Sequence, residues 1–206
     1  MEWNLDETAE RLIKEGKIRE IIMVAIYNNE DRISEYTPVK DAEHGGGKLP
    51  AYADFVVKEL KPFIDSNFNT STEPSDTGFM GSSLGGISAL YMGWHYPELF
   101  GLIGVVSPSL WWSDGYFIRE IAGWKKPKPE IKIWLDMGTE EADRDENKND
   151  IPDAIDSSRL MMDILINKGY IPGEDLCYYE AEGAPHNEKA WSERSDRVLI
   201  FLLGKD

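Results

Sequence analysis

Cysteine is almost absent from this chain of 206 residues: Cys177 stands alone, so no disulfide can form within it. That absence fits a reducing, cytoplasmic compartment, and Cys177, lying in an apolar segment, reads as a core filler rather than a reactive thiol. Positive charge is also scarce, with 22 Lys and Arg against 38 Asp and Glu and a net charge of −16. Such a surface repels a phosphate backbone, and no basic stripe reverses it locally, so nucleic acid is excluded as a partner. No apolar run approaches the ~20 residues that a membrane-spanning helix needs. The opening Met1-Glu2-Trp3-Asn4-Leu5-Asp6 also lacks the basic and apolar regions of an export signal, so neither a membrane partner nor secretion is expected. Histidine is limited to His44, His95 and His186, which narrows any search for a catalytic base.

Apolar residues make up 41% and aromatic residues 11% of the chain, a globular composition. The length suits one core, and a single domain over 1–206 is expected. Leu5, Ala9, Leu12 and Ile13 form one face of a helix predicted over 4–15, with Asn4 as its cap, Glu7 completing a capping box and Gly16 as its end. The continuous apolar run at 21–27 has the pattern of a strand buried on both faces of a parallel sheet. From 31 to 49 the sequence turns polar and glycine-rich, an excursion of the length that often carries function, and His44 within it reads as a solvated loop residue. A helix follows over 51–65, its last turn distorted by Pro62. Further on, strands are predicted at 77–80, 102–106, 131–136 and 176–179, with helices at 87–94, 114–122, 155–168 and 187–203. Alternating strands and helices give an α/β fold with a mostly parallel sheet and helices on both faces.

The most informative stretch is Gly78 to Trp94. Gly81, Ser83 and Gly85 have the G-x-S-x-G spacing of a nucleophile elbow, where a strand turns sharply into a helix and presents a serine hydroxyl at the bend. Glycines there give room where strand and helix backbones meet, a role open to Gly81, Gly85 and Gly86. A serine needs a base to take its proton and a carboxylate to orient that base, and on such a sheet the chain order is serine, acid, histidine. His44 and His95 come too early, and His95 suits the end of its own helix, where an imidazolium favours the dipole. His186, in a loop between the last strand and the closing helix, is left as the base. The acid lies in the carboxylate-rich turn after 131–136: Glu141 is the first choice, Asp143 the second and Asp136 the third. Asp143-x-Asp145-x-Asn147 approaches a calcium-loop pattern, but Lys148 and Ala154 occupy the positions where glycine and a bidentate glutamate belong. No metal and no cofactor is expected.

With these residues the sequence resembles the putative-esterase family of the α/β-hydrolase superfamily, which includes feruloyl, acetyl-xylan and enterochelin esterases and esterase D. The matching segments are Gly81-Ser82-Ser83-Leu84-Gly85-Gly86, Ser107-Pro108-Ser109-Leu110-Trp111-Trp112, Asp136-Met137-Gly138-Thr139-Glu140-Glu141 and Gly183-Ala184-Pro185-His186-Asn187. The resemblance implies an α/β-hydrolase fold and ester hydrolysis, with Ser83 as nucleophile, His186 as base, Glu141 as acid and the Leu84 N–H as an oxyanion donor. Trp111 and Trp112 correspond to an aromatic pair near the acyl or alcohol pocket, or else are core aromatics closing the sheet.

The same resemblance implies upstream strands, the last followed by a loop that gives a second oxyanion donor. The chain opens at what corresponds to the next helix and is expected to be shortened at its N-terminus. In the family's strand order the absent strand lies between 21–27 and 77–82. The 21–27 strand is therefore expected at a sheet edge, paired directly with residues 78–80 or separated from them by a strand of another subunit, which makes a homo-oligomer the expected state. Two functions follow: a serine carboxylic-ester hydrolase for short acyl or aryl esters, working through an acyl-enzyme, or a non-catalytic binding or oligomerising module built on the same fold.

Overall fold

A computed structural model of the chain describes residues 3–142 and 144–205, so Asp143 lies outside the described residues. Four parallel strands form the central sheet: β3 (Gly78–Ser82), β4 (Leu102–Val106), β5 (Lys132–Gly138) and β6 (Leu176–Ala181), in that order across the sheet. Two further strands, β1 (Lys40–Asp41) and β2 (Gly45–Gly46), make a small hairpin within the excursion. All of β4 is buried, as its unbroken apolar sequence requires of an interior parallel strand. The register sets Ser82 beside Val106, Val106 beside Asp136 and Gly138 beside Ala181, so the loops leaving these strands emerge at one edge of the sheet.

Alternate residues along the strands serve two cores. Ile103, Val105, Ile133 and Leu135 join the larger one, with side chains of α3 (Leu49–Phe55), α5 (Leu84–His95), α6 (Trp112–Gly123) and α7 (Asp153–Asn167). Leu102, Val106 and Trp134 face the other way, against Trp191 of α8 (Glu188–Ser192) and Val198 and Leu202 of α9 (Ser195–Leu203). On the outer side of α9 lies α1 (Leu5–Lys14), through Ala9, Leu12 and Leu199. The fold is thus α/β, with helices on both faces of a parallel sheet. Among the described residues no helix is long and apolar enough to cross a membrane.

The structure corrects the strand expected at 21–27. Those residues carry no secondary structure, and Ile22, Val24 and Tyr27 are 51%, 43% and 96% exposed. A strand exists by pairing, and among the described residues none pairs with this run: a groove of about 720 Å³ separates residues 21–24 from residues 78–80. The edge of the sheet is β3 instead, and no direct pairing joins it to 21–27. Asn4, expected to cap α1, has a left-handed backbone and makes no side-chain cap bond. The helix expected over 51–65 runs as α3, a π-helical turn at Val56–Leu60 and α4 (Lys61–Asn67). Pro62 has no N–H to offer Lys58, so the distortion falls in the turn before the proline rather than in the last turn of the helix. The closing helix is broken in two, α8 and α9, at Glu193 and Arg194.

Glycine is required at one point of the elbow above all. A Cβ on Gly81 would stand 2.5 Å from the carbonyl oxygen of Gly85, and one on Gly86 would press on Pro108 at 3.0 Å, whereas one on Gly85 would meet open space. The contact expected of three glycines thus rests on Gly81 and, less tightly, Gly86. We expect Gly81→Ala to destabilise the fold by at least about 1–3 kcal/mol, as overpacking does. Gly85→Ala, at a helical position, should be neutral or stabilising by up to about 1 kcal/mol. Denaturant unfolding of the two variants checks this, and equal losses would overturn it.

Candidate active site

Ser83 is the single residue between β3 and α5, and it makes the turn with φ 57° and ψ −121°, a conformation that side chains rarely adopt. Its neighbours hold it there: Ser83 N–H donates to Val106 O at 3.0 Å, and Ser83 O accepts from Gly86 N–H at 3.0 Å and Ser109 N–H at 3.1 Å. The hydroxyl is thereby presented at the carboxyl end of the strands, 3.0 Å from His186 Nε2 and 3.2 Å from the Ser109 hydroxyl. Leu84, the first residue of α5, has no helical carbonyl one turn back to take its N–H.

His186 sits in the loop after β6, and Asn187 anchors that loop by capping α8, its side chain accepting from Ala190 N–H at 3.0 Å. The imidazole stands edge-on to Trp191, with ring centres 5.0 Å apart at 89°. Its Nδ1 lies 2.8 Å from Glu141 Oε2. An ionised carboxylate only accepts, so Nδ1 carries the proton and the Nε2 lone pair faces the serine.

The side chain of Glu141 is almost wholly buried, 3% exposed. Burial pushes its carboxyl up, but hydrogen bonds from His186, from the Ser107 hydroxyl and from the Gly138 N–H outweigh that and hold it below the ordinary carboxylate value. Asp136, the third-choice acid, makes no hydrogen bond to His186. It is fully buried and accepts from Arg194 Nη2 at 2.9 Å, Arg194 Nε at 3.1 Å, Trp134 Nε1 at 2.6 Å and Ser107 N–H at 3.1 Å. Burial raises its carboxyl above the usual value, and the Arg194 charge and these donors offset only part of that.

The structure therefore brings Ser83, His186 and Glu141 together and divides the tryptophan pair. Trp112 is buried, its N–H donating to Val39 O at 2.9 Å and tying down the segment that leads to the hairpin. Trp111 is half exposed, edge-on to His44 at 5.6 Å. His95 ends α5, the helix that Ser83 begins, about 18 Å away along its axis at ~1.5 Å per residue. There His95 lies 3.1 Å from Glu120. Sequence reasoning missed Arg194 and Trp191, and it saw Ser107 and Ser109 only as parts of a motif. A signal for Arg194 existed: it falls on the stripe Ala190, Trp191, Arg194, Ser195, Val198, Leu199 and Leu202, at the spacing of a buried helical face, where a charge needs a partner.

A family model described as "Putative esterase" matches residues 1–202. The chain belongs to that family. It is accordingly an esterase-type hydrolase. It is 26% identical over 209 residues to the uncharacterized protein YbbA of Bacillus subtilis (strain 168), covering 98% of this chain and 81% of that one. A shorter stretch of 110 residues, 49% of this chain and 28% of the relative, is 33% identical to the iron(III) enterobactin esterase of Escherichia coli (strain K12). Among solved structures, a ferulic acid esterase superposes with a TM-score of 0.73 at 15% identity, covering 98% of this chain and 77% of that one. At that identity the likeness speaks to the fold.

The Glu141 surroundings have a thermodynamic consequence. A carboxylate whose folded pKa is depressed contributes stability that is full above its unfolded value and is lost as pH falls through the folded one. Glu141→Gln should therefore cost more stability at pH 7 than at pH 3, read from urea midpoints of both proteins at both pH values. A cost that does not change with pH would contradict the depressed pKa.

Proposed function

We propose that this esterase is a serine carboxylic-ester hydrolase acting on short acyl or aryl esters through an acyl-enzyme. The observation that carries the reading is the unbroken chain Ser83 Oγ, His186 Nε2, His186 Nδ1, Glu141 Oε2, with links of 3.0 and 2.8 Å. Ser83 Oγ attacks the ester carbonyl carbon as its proton passes to His186 Nε2, and Glu141 stabilises the resulting imidazolium. The carbonyl oxygen takes up the negative charge and is met by the Leu84 N–H. Collapse of the tetrahedral intermediate breaks the bond to the alcohol oxygen, which leaves with the proton from His186, and the acyl group stays on Ser83. Water then repeats the sequence, with His186 as base, and releases the acid. The exposed Trp111, with His44 against its edge, gives the rim an aromatic wall suited to a flat acyl or alcohol group. Buried Trp112 serves to hold that rim. The enterobactin esterase among the relatives supports ester hydrolysis.

Short-chain aryl esters should be hydrolysed, and Ser83→Ala or His186→Ala should remove nearly all of that activity. Glu141→Ala should lower turnover by orders of magnitude, because an unoriented imidazole is a poor base. Labelling by a fluorophosphonate should require Ser83. Near-native turnover in either the Ser83 or the His186 variant would overturn the reading.

A second reading concerns assembly rather than chemistry. We infer that the free edge of β3 and the exposed Ile22, Met23 and Val24, which line one groove, join a second copy of the chain. Light scattering coupled to size exclusion should give a dimer or larger species at micromolar concentration, and a stable monomer would rule this out.

A further inference from the structure

Behind the proposed acid lies a buried polar cluster that the chemistry above does not use. Arg194 and Asp136 are 3% and 0% exposed, and Arg194 also donates through Nη1 to Ala190 O at 3.0 Å. From that anchored position Arg194 Nη2 reaches Ser107 Oγ at 2.5 Å and Glu141 Oε1 at 3.4 Å. Trp191 Nε1 donates to the same Ser107 oxygen at 3.1 Å.

The hydrogen positions follow from valence. A guanidinium and an indole N–H can only donate, so Arg194 and Trp191 occupy both acceptor sites of the Ser107 hydroxyl. Its one proton is left for Glu141 Oε1, with which it is in hydrogen-bond contact. That carboxylate oxygen then accepts from Ser107 O–H, from Gly138 N–H at 2.7 Å and, at longer range, from Arg194. With Oε1 held by three donors the carboxylate plane cannot turn, and Oε2 remains aimed at His186 Nδ1. Ser107 is itself fixed by an unusual backbone, with φ 43° immediately after β4, and by its N–H bonds to the main-chain and side-chain oxygens of Asp136.

We propose that Arg194 and Ser107 are positioning residues for ester hydrolysis, acting through Glu141 to set the imidazole of His186, with Asp136 as the counter-charge that keeps the guanidinium in place. This rests on the reading of Glu141 as the acid. Neither side chain touches the substrate, so their effect should fall on kcat and leave KM unaltered. Misorientation of a supporting group typically costs about ten- to a hundredfold in rate.

The test is a double-mutant cycle between Ser107→Ala and Glu141→Ala, measured as kcat per fluorophosphonate-titrated site so that unfolded protein does not count. Ser107→Ala keeps the buried Arg194–Asp136 pair and so should fold. Alone it should lower kcat at least tenfold with KM within twofold. Added to Glu141→Ala it should change kcat less than twofold, because the hydroxyl has lost the group it acts through. Arg194→Lys, which keeps the charge beside Asp136 but loses the planar fork, should also lower kcat about tenfold at constant KM. Equal costs of Ser107→Ala with and without Glu141, or native kcat in both Ser107→Ala and Arg194→Lys, would overturn the positioning role while leaving the triad reading intact. Native kcat in Glu141→Ala would overturn the triad reading itself, and this inference with it.

Discussion

One residue turns the chain from strand to helix at Ser83, and the geometry of the site follows from that constraint. β3 ends at Ser82 and α5 begins at Leu84, so the reversal is concentrated in a single left-handed serine. It can close only because Gly81 lets the Gly85 carbonyl approach and because the end of β4 supplies Val106 O and Ser109 N–H as fixed partners. Ser107, one strand over, repeats the device with a positive φ of its own directly after β4. Two adjacent parallel strands thus each end in a strained serine. The first presents its hydroxyl to the histidine, and the second turns its hydroxyl inward to the glutamate.

The site is layered as a result. Trp111 and the His186 side chain reach solvent, 50% and 36% exposed, whereas the Glu141 side chain is 3% exposed and Ser107, Arg194 and Asp136 are buried. Charge is handled differently at each depth. Glu141 is kept ionised by donors in spite of burial, whereas Asp136 is so deeply placed that even the Arg194 charge does not restore its ordinary acidity. A single guanidinium in contact with two carboxylates leaves the buried cluster short of one positive charge, and the imidazolium proposed for His186 would supply it.

Much of the fold was legible because its signals are local. The apolar run of β4, the turn chemistry around Gly81 and Ser83, and the periodicity of α5 each carry their structural reason in a few residues. The scarcity of histidine made His186 easy to single out as a candidate base, and the structure sets it against Ser83 and Glu141. The 21–27 run was not legible, because its composition says only that it would pair if a neighbour were there, and pairing is settled by residues far away. Arg194 was overlooked for a like reason. Periodicity over 187–203 places it on a mostly apolar face, but the break at Glu193 and Arg194 and the partner Asp136, 58 positions away, are tertiary features. The choice among the acids likewise depends on depth: Asp136 and Glu141 stand five positions apart, and only the burial of Asp136 against Arg194 and the turn at Gly138 separate their roles.

If Arg194 positions the proposed acid, the break in the closing helix couples the enzyme's activity to its integrity. Arg194 is the residue from which α9 starts, so any excursion in which α9 lifts from the sheet withdraws the guanidinium from Asp136, Ser107 and Glu141 in the same motion. Glu141 then loses a donor on Oε1, and the loss reaches Ser83 through His186. On the proposed reading a partly opened molecule is a silent one, hydrolysing esters only when the last helix has docked.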